Sequence, residues 1–293
     1  MIFTRVFAAA LPTIFASTVL SLKLPAYSAL KTSQTAGVLE ITLHNPKSQI
    51  NLWSEETQNG LTDIVHRLQG DNQTKVVIFK SDVPKFFTAH LDPLMPGLDT
   101  FPTKFASLLY NISALPQVTI GAVDGIARGA GNELLVSLDM RFATKRAVLG
   151  QPEVGLGAFP GGGGSQFLPG LIGRGRAMEY ILGSNDIDAR EAERIGWINR
   201  AFDSSTDMYD YIDKLTSRLR LFPFVALSTA KRSINLASAP PLENVLHDAS
   251  AWIQRLGDPD AAELFGRFLA LTNNATLGPA ELNLGKALVQ IYS

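Results

Sequence analysis

The chain has no cysteine, so disulfide bonds and thiolate chemistry are both excluded. Its four histidines, His44, His66, His90 and His247, lie far apart and show no metal-ligand spacing. Charge of either sign is scarce in excess: the formal net charge is −1, and no basic cluster stands out. That argues against nucleic acid or an anionic membrane surface as the main partner. The glycine motifs of nucleotide binding are also missing. No G-x-G-x-x-G follows the first strand-like segment, and "GGGGSQFL" lacks the Gly-Lys-Ser/Thr ending of a phosphate loop. Ser165 does not sit in a G-x-S-x-G elbow. Carboxylates and backbone groups are what remains for chemistry.

The first 36 residues lack any acid, and "VFAAALPTIFASTVLSL" after Arg5 carries no charge. The stretch is too short and too rich in Ala, Ser and Thr to read as a membrane span. One basic residue, an apolar stretch and then small residues describe a secretory or lumenal signal. A mitochondrial presequence would share the lack of acids but normally carries more arginine, and a plain disordered extension is a third reading. Residues 1–36 are therefore expected to be a targeting-like extension, with the fold beginning near Gly37 and no membrane span in the mature protein.

The remaining sequence is rich in apolar residues, which suits a globular protein with a sizeable core. "GVLEITLHNP" alternates apolar and polar residues before an Asn-Pro turn, and "KVVIFKS" and "QVTIGAVDG" are short strand-like runs. Between the first two, "SEETQNGLTDIVHRLQG" has Ser54 as N-cap and apolar residues at helical spacing. Proline-rich 84–102 reads as loop, 103–114 as helix, "ELLVSLDM" as an apolar helix, and "RFATKRAVLGQPEVGLG" as further short strands. Beyond residue 170, amphipathic helical segments follow one another. Strands alternating with helices imply an α/β body around a mainly parallel, buried sheet. The expected division is 37–205 as α/β core and 206–293 as C-terminal helical region.

"GIARGAGNELL" crowds small residues ahead of a carboxylate, Glu133. A glycine-rich turn is often only a tight connection, and an acid in a first helical turn often only complements the dipole. The chemical alternative is an oxyanion site, because amides at a helix N-terminus are unpaired and small residues let a carbonyl approach them. Glu133 and Glu153 would then move protons at the neighbouring carbon.

Four blocks, "FFTAHLD", "AVDGIARGAGNELLVSLDMRFAT", "LGQPEVGLGAFPGGGGSQFLP" and "RAMEYILGSNDIDAREAERIGWINR", give the chain a resemblance to the enoyl-CoA hydratase/isomerase (crotonase) superfamily. The likeness runs from about Gly37 to Phe224. It implies a ββα superhelix of stacked short parallel strands with helices, followed by a C-terminal helical region. It also implies an acyl-CoA thioester as substrate, with no other cofactor, and assembly as a homo-trimer or hexamer. By the resemblance, the backbone amides of Leu91 and Ala130 hold the thioester oxygen. Glu133 activates water for attack at Cβ, Glu153 delivers a proton to Cα, and the backbone of Gly161 seats the water. Lys47, Ala89 and Asp92 fall on the implied CoA path, though Lys47 reads equally well as a solvated turn residue.

The sequence departs from the family pattern at His90 and Ala130, where glycine is usual, and in its tail, which lacks the family's basic ending. His90 would either block the usual loop path, add a titrating group beside the thioester, or be a tolerated variant with its ring turned to solvent. Hydration of a 2-enoyl-CoA is the leading expectation because both acids are present. Double-bond isomerisation or other enolate chemistry, and acyl-CoA binding without turnover, are the competing ones.

Overall fold

The computed structural model describes residues 22–97 and 100–293. The predicted targeting-like stretch before residue 22 lies outside them. In chain order the elements are β1 Leu30–Thr35, β2 Val38–Leu43, α1 Glu55–Gln69, β3 Val76–Ser81, β4 Phe86–Thr88 and α2 Phe101–Ser113. Next come β5 Val118–Val123, β6 Ile126–Arg128, α3 Ala130–Ser137, β7 Met140–Thr144, β8 Val148–Gly150 and a 3-10 turn, Glu153–Leu156. Then follow α4 Gly164–Ile172, α5 Arg174–Gly183, β9 Asp186–Asp188, α6 Ala189–Ile195 and β10 Arg200–Phe202. The chain closes with α7 Ser205–Leu219, α8 Phe224–Ser238, α9 Leu242–Leu256, α10 Pro259–Leu271, α11 Pro279–Leu282, α12 Leu284–Ala287 and a 3-10 turn, Leu288–Tyr292.

Two sheets carry the body. The larger runs β1-β2-β3-β5-β7-β10 and the smaller β4-β6-β8-β9. Pairings within the larger sheet are parallel from β2 to β10, as expected for strands joined by helical crossovers. The interior strand β5, buried throughout, reads as a continuous apolar run interrupted only by Thr119 and Gly121. Helix α1 forms where the sequence places it. Ser54 Oγ accepts from the Thr57 amide, and Leu61, Ile64, Val65 and Leu68 face the core.

Three expectations need correction. The fold begins before Gly37, because β1 spans Leu30–Thr35 and pairs antiparallel with β2. An edge strand exposes every second residue, so "LKTSQT" carries too little apolar signal to stand out. Strand β4 lies inside the segment read as loop, held by pairing with β6 rather than by its own length. Helix α3 also stops at Ser137, and Met140 opens β7 instead of continuing the helix.

Alternation of the two sheets is what positions the site. Each β-β-helix turn ends in a loop at the same edge, so the ends of β4, β6 and β8 bring residues 89–92, 129–133 and 151–153 side by side.

Candidate active site

A cavity of about 310 Å³ opens at that edge. His90, Leu91, Asp92, Ala130, Glu133, Glu153 and Gly161 all line it, joined by apolar walls from α2, α9 and α10. Of the residues singled out in the sequence, two stand apart. Ala89 is fully buried with its amide bonded to the Ile50 carbonyl, and Lys47 points outward with Nζ 2.7 Å from Glu56.

The loop carrying Leu91 is set by a single parallel bridge to Trp53. The Trp53 amide donates to the His90 carbonyl, and the Asp92 amide donates to the Trp53 carbonyl. The Leu91 N–H, lying between them, has no acceptor among the described residues. Ala130 is the first residue of α3, so its N–H has no intrahelical acceptor, and none is found elsewhere among the described residues. Approach of these two segments depends on glycine. A Cβ on Gly131 would lie 2.3 Å from the Thr88 carbonyl oxygen of β4. Gly129 adopts φ +47°, and a Cβ there would lie 2.9 Å from Glu153 Oε1 and 3.3 Å from His90 Cβ. The bare backbone thus lets the β4 loop, α3 and the Glu153 turn meet. Ala130, where the family pattern has glycine, fits buried at 2% exposure.

The two carboxyls differ in their surroundings. Glu133 Oε1 accepts from the Gly162 amide at 2.7 Å and the Gly164 amide at 3.0 Å. Burial raises its pKa to about 7, with the two amides opposing the shift and the Asp248 charge adding to it. Glu153 has no such support: its Oε2 is buried without a partner among the described residues. Burial first, and then the charge of Glu133, push Glu153 well above the ordinary carboxylate range. The first group ionises more readily, and the second keeps its proton. Such a pair can take a proton at one point and give one at another.

Gly161 sits under Trp252 of α9, and any side chain at 161 would collide with that indole, the nearest atom lying 2.7 Å from an added Cβ. The apolar side of the cavity is built by Phe105, Trp252, Leu256, Phe265 and Phe268. None of these stood out in the sequence, because aromatic and aliphatic residues at helical spacing look the same whether they face a core or a cavity.

His90 does not turn to solvent. Its side chain is 12% exposed, Nδ1 lies 2.7 Å from the Leu91 carbonyl oxygen, and Nε2 lies 3.1 Å from Glu281 Oε1. The ring edge packs against Phe268. Burial would pull its pKa down, yet the facing Glu281 carboxylate outweighs that and holds it above the ordinary imidazole value. The solvent-turned reading fails because the C-terminal segment covers this loop. Glu281 gave no signal in the sequence, being far away in a short segment without motif. Among the described residues no cluster of His, Cys, Asp and Glu has the form of a metal site, and no helix is long and apolar enough to cross a membrane.

Comparison with known proteins adds a family. A family profile described as enoyl-CoA hydratase/isomerase matches residues 33–263. The short-chain-enoyl-CoA hydratase of Clostridium acetobutylicum is 31% identical over 204 residues, covering 68% of this chain and 77% of its own. A crystal structure from Streptomyces avermitilis superposes with a TM-score of 0.84 at 36% identity, covering 91% of this chain and 99% of that one. That of an enoyl-CoA hydratase from Mycobacterium avium subsp. paratuberculosis superposes with a TM-score of 0.75 at 26% identity, covering 84% and 97%.

Proposed function

The chain belongs to the enoyl-CoA hydratase/isomerase family, and on that premise we propose that it adds water across the double bond of a 2-enoyl-CoA thioester. The observation carrying this reading is that Glu133 and Glu153 face one cavity together with the unpaired amides of Leu91 and Ala130.

The thioester carbonyl oxygen lies between those two amides, which strengthen their bonds as charge develops on it. One such donor contributes about 3 kcal/mol to the transition state. Glu133, ionised and fixed through Oε1 by two glycine amides, accepts a proton from water as its oxygen bonds to Cβ. The electron pair of the double bond moves towards the thioester as an enolate. Glu153 then gives its proton to Cα, and the thioester is restored. Water has supplied hydroxide to Cβ, and the proton left on Glu133 returns to Glu153 for the next turnover. The apolar wall from α2, α9 and α10 takes the acyl chain. Self-association completes the proposal, since α8 and the turn before it present Leu221, Val225, Ile234 and Leu236 to solvent.

The test is loss of enoyl absorbance with purified protein and a panel of 2-enoyl-CoA thioesters. Glu133→Gln and Glu153→Gln are each expected to lower kcat by at least a hundredfold, the scale of a lost general acid or base. Loss in Glu153→Gln alone would favour double-bond isomerisation. Calorimetric binding without turnover of any enoyl-CoA would favour a binding protein.

A further inference from the structure

The last fifteen residues of the chain touch three segments around the site: the strand ahead of Ala130, the turn that begins at Glu153, and the loop bearing His90. Arg128, two residues before Ala130, donates through a terminal nitrogen to the Glu281 carbonyl at 2.6 Å. Its remaining nitrogens grip Asp186, whose other contact is the Gly285 amide. Tyr292 donates to the Gly155 carbonyl, two residues beyond Glu153. Leu284, Leu288 and Ile291 form a small core with Phe268, against which Leu156 of the 3-10 turn packs. The third attachment is the side chain of Glu281 to His90, one residue before Leu91.

The chemistry of that third contact is restrictive. Glu281 is fully buried, and its second oxygen has no partner among the described residues. The imidazole faces an oxygen at each nitrogen: the Leu91 carbonyl, which can only accept, and the Glu281 carboxyl. Two arrangements satisfy both. Either the ring carries two protons and faces a carboxylate, or the ring is neutral and Glu281 carries the proton. Other charged groups around the ring decide little. Arg128 of β6 is matched by Asp186 of β9, Glu153 of the 3-10 turn holds its proton, and Asp92 engages its own loop through the Leu94 amide. Because each ring nitrogen is already committed, the ring has no N–H to offer a substrate. A general-acid role for it is excluded.

We propose that His90 and Glu281 are positioning residues, an imidazolium–carboxylate pair that ties the C-terminal segment to the loop bearing the Leu91 amide and fixes that amide opposite Ala130. This rests on the reading of Leu91 and Ala130 as the oxyanion pair. Among the described residues, the pair is the polar contact by which the C-terminal segment reaches the β4 loop; its other polar attachments go to β6, β9, α10 and the Glu153 turn.

Nitrogen NMR of full-length protein labelled at histidine tests the pair directly, and with four histidines the spectrum is assignable by comparison with His90→Gln. At pH 7.5 the His90 ring is expected to show two protonated nitrogens, and Glu281→Gln should return it to the neutral pattern. In turnover, Glu281→Gln should lower kcat about tenfold or more with KM within about threefold, since a displaced donor weakens the transition state more than the ground state. Glu281→Asp, which keeps the charge, should recover part of that loss. A neutral ring in the wild-type protein at pH 7.5 overturns the proposal, as does a Glu281→Gln kcat within about twofold of wild type. Should Glu133→Gln leave hydration intact, the hydratase reading fails, while the His90 signals still decide the pair.

Discussion

Glu133 titrates near 7 because burial outweighs the two amides that hold it. If it must be ionised to activate water, kcat/KM should fall as pH drops below about 7, tenfold per unit. The same shift bears on stability. A carboxyl raised in the fold contributes fully below its unfolded pKa, and that contribution is lost as pH rises through the folded value. The native protein thus holds its ionised Glu133 at a cost on the order of 3 kcal/mol above pH 8. Glu133→Gln should therefore melt higher than wild type at pH 8, with the gap closing towards pH 5, as calorimetry would read. An equal gap at both pH values would contradict the assignment.

The packing of β4 against α3 makes Gly131 a sharper probe than either glutamate. Alanine there would place a methyl 2.3 Å from the Thr88 carbonyl oxygen, so strand and helix must separate. The expected outcome is a stability loss of about 1–3 kcal/mol by urea titration, together with a fall in kcat as Leu91 and Ala130 move apart. An alanine variant with normal stability and turnover would show that this close approach is not needed. Elements of this kind divide into those the sequence announces and those it hides. Helix α1 is announced by Ser54 and its apolar spacing, because both signals act within the element itself. Strand β1 is hidden, since half of it faces solvent, and β4 is hidden because three residues are too few to show a period. Glu133, Glu153 and the small residues ahead of α3 were suggested by the local pattern, whereas Leu91, Ala130 and Gly161 entered only through the family resemblance. His90 was visible as an anomaly, but its partner, 191 residues away, depends on how the tail folds back. Arg128 offered a fainter clue: a lone charge inside an apolar run, whose burial at 1% exposure requires partners from elsewhere.

At the scale of the whole molecule, the surface around α8 is the least balanced part. Leu221 is 80% exposed and Leu236 86%, with Val225 and Ile234 not far behind. Apolar side chains this open favour burial against another copy. Gel filtration with light scattering is expected to give a multiple of the 31.7 kDa chain. Val225→Glu combined with Leu236→Glu should shift it towards a single chain, and unaltered elution would exclude this face as the contact.

Of the three indoles, Trp53 and Trp197 are wholly enclosed by protein, whereas Trp252 forms part of the cavity wall above Gly161. Only one fluorophore would therefore meet an incoming acyl chain. The chain carries its own optical sensor of occupancy, able to follow ligand entry in variants too slow to assay.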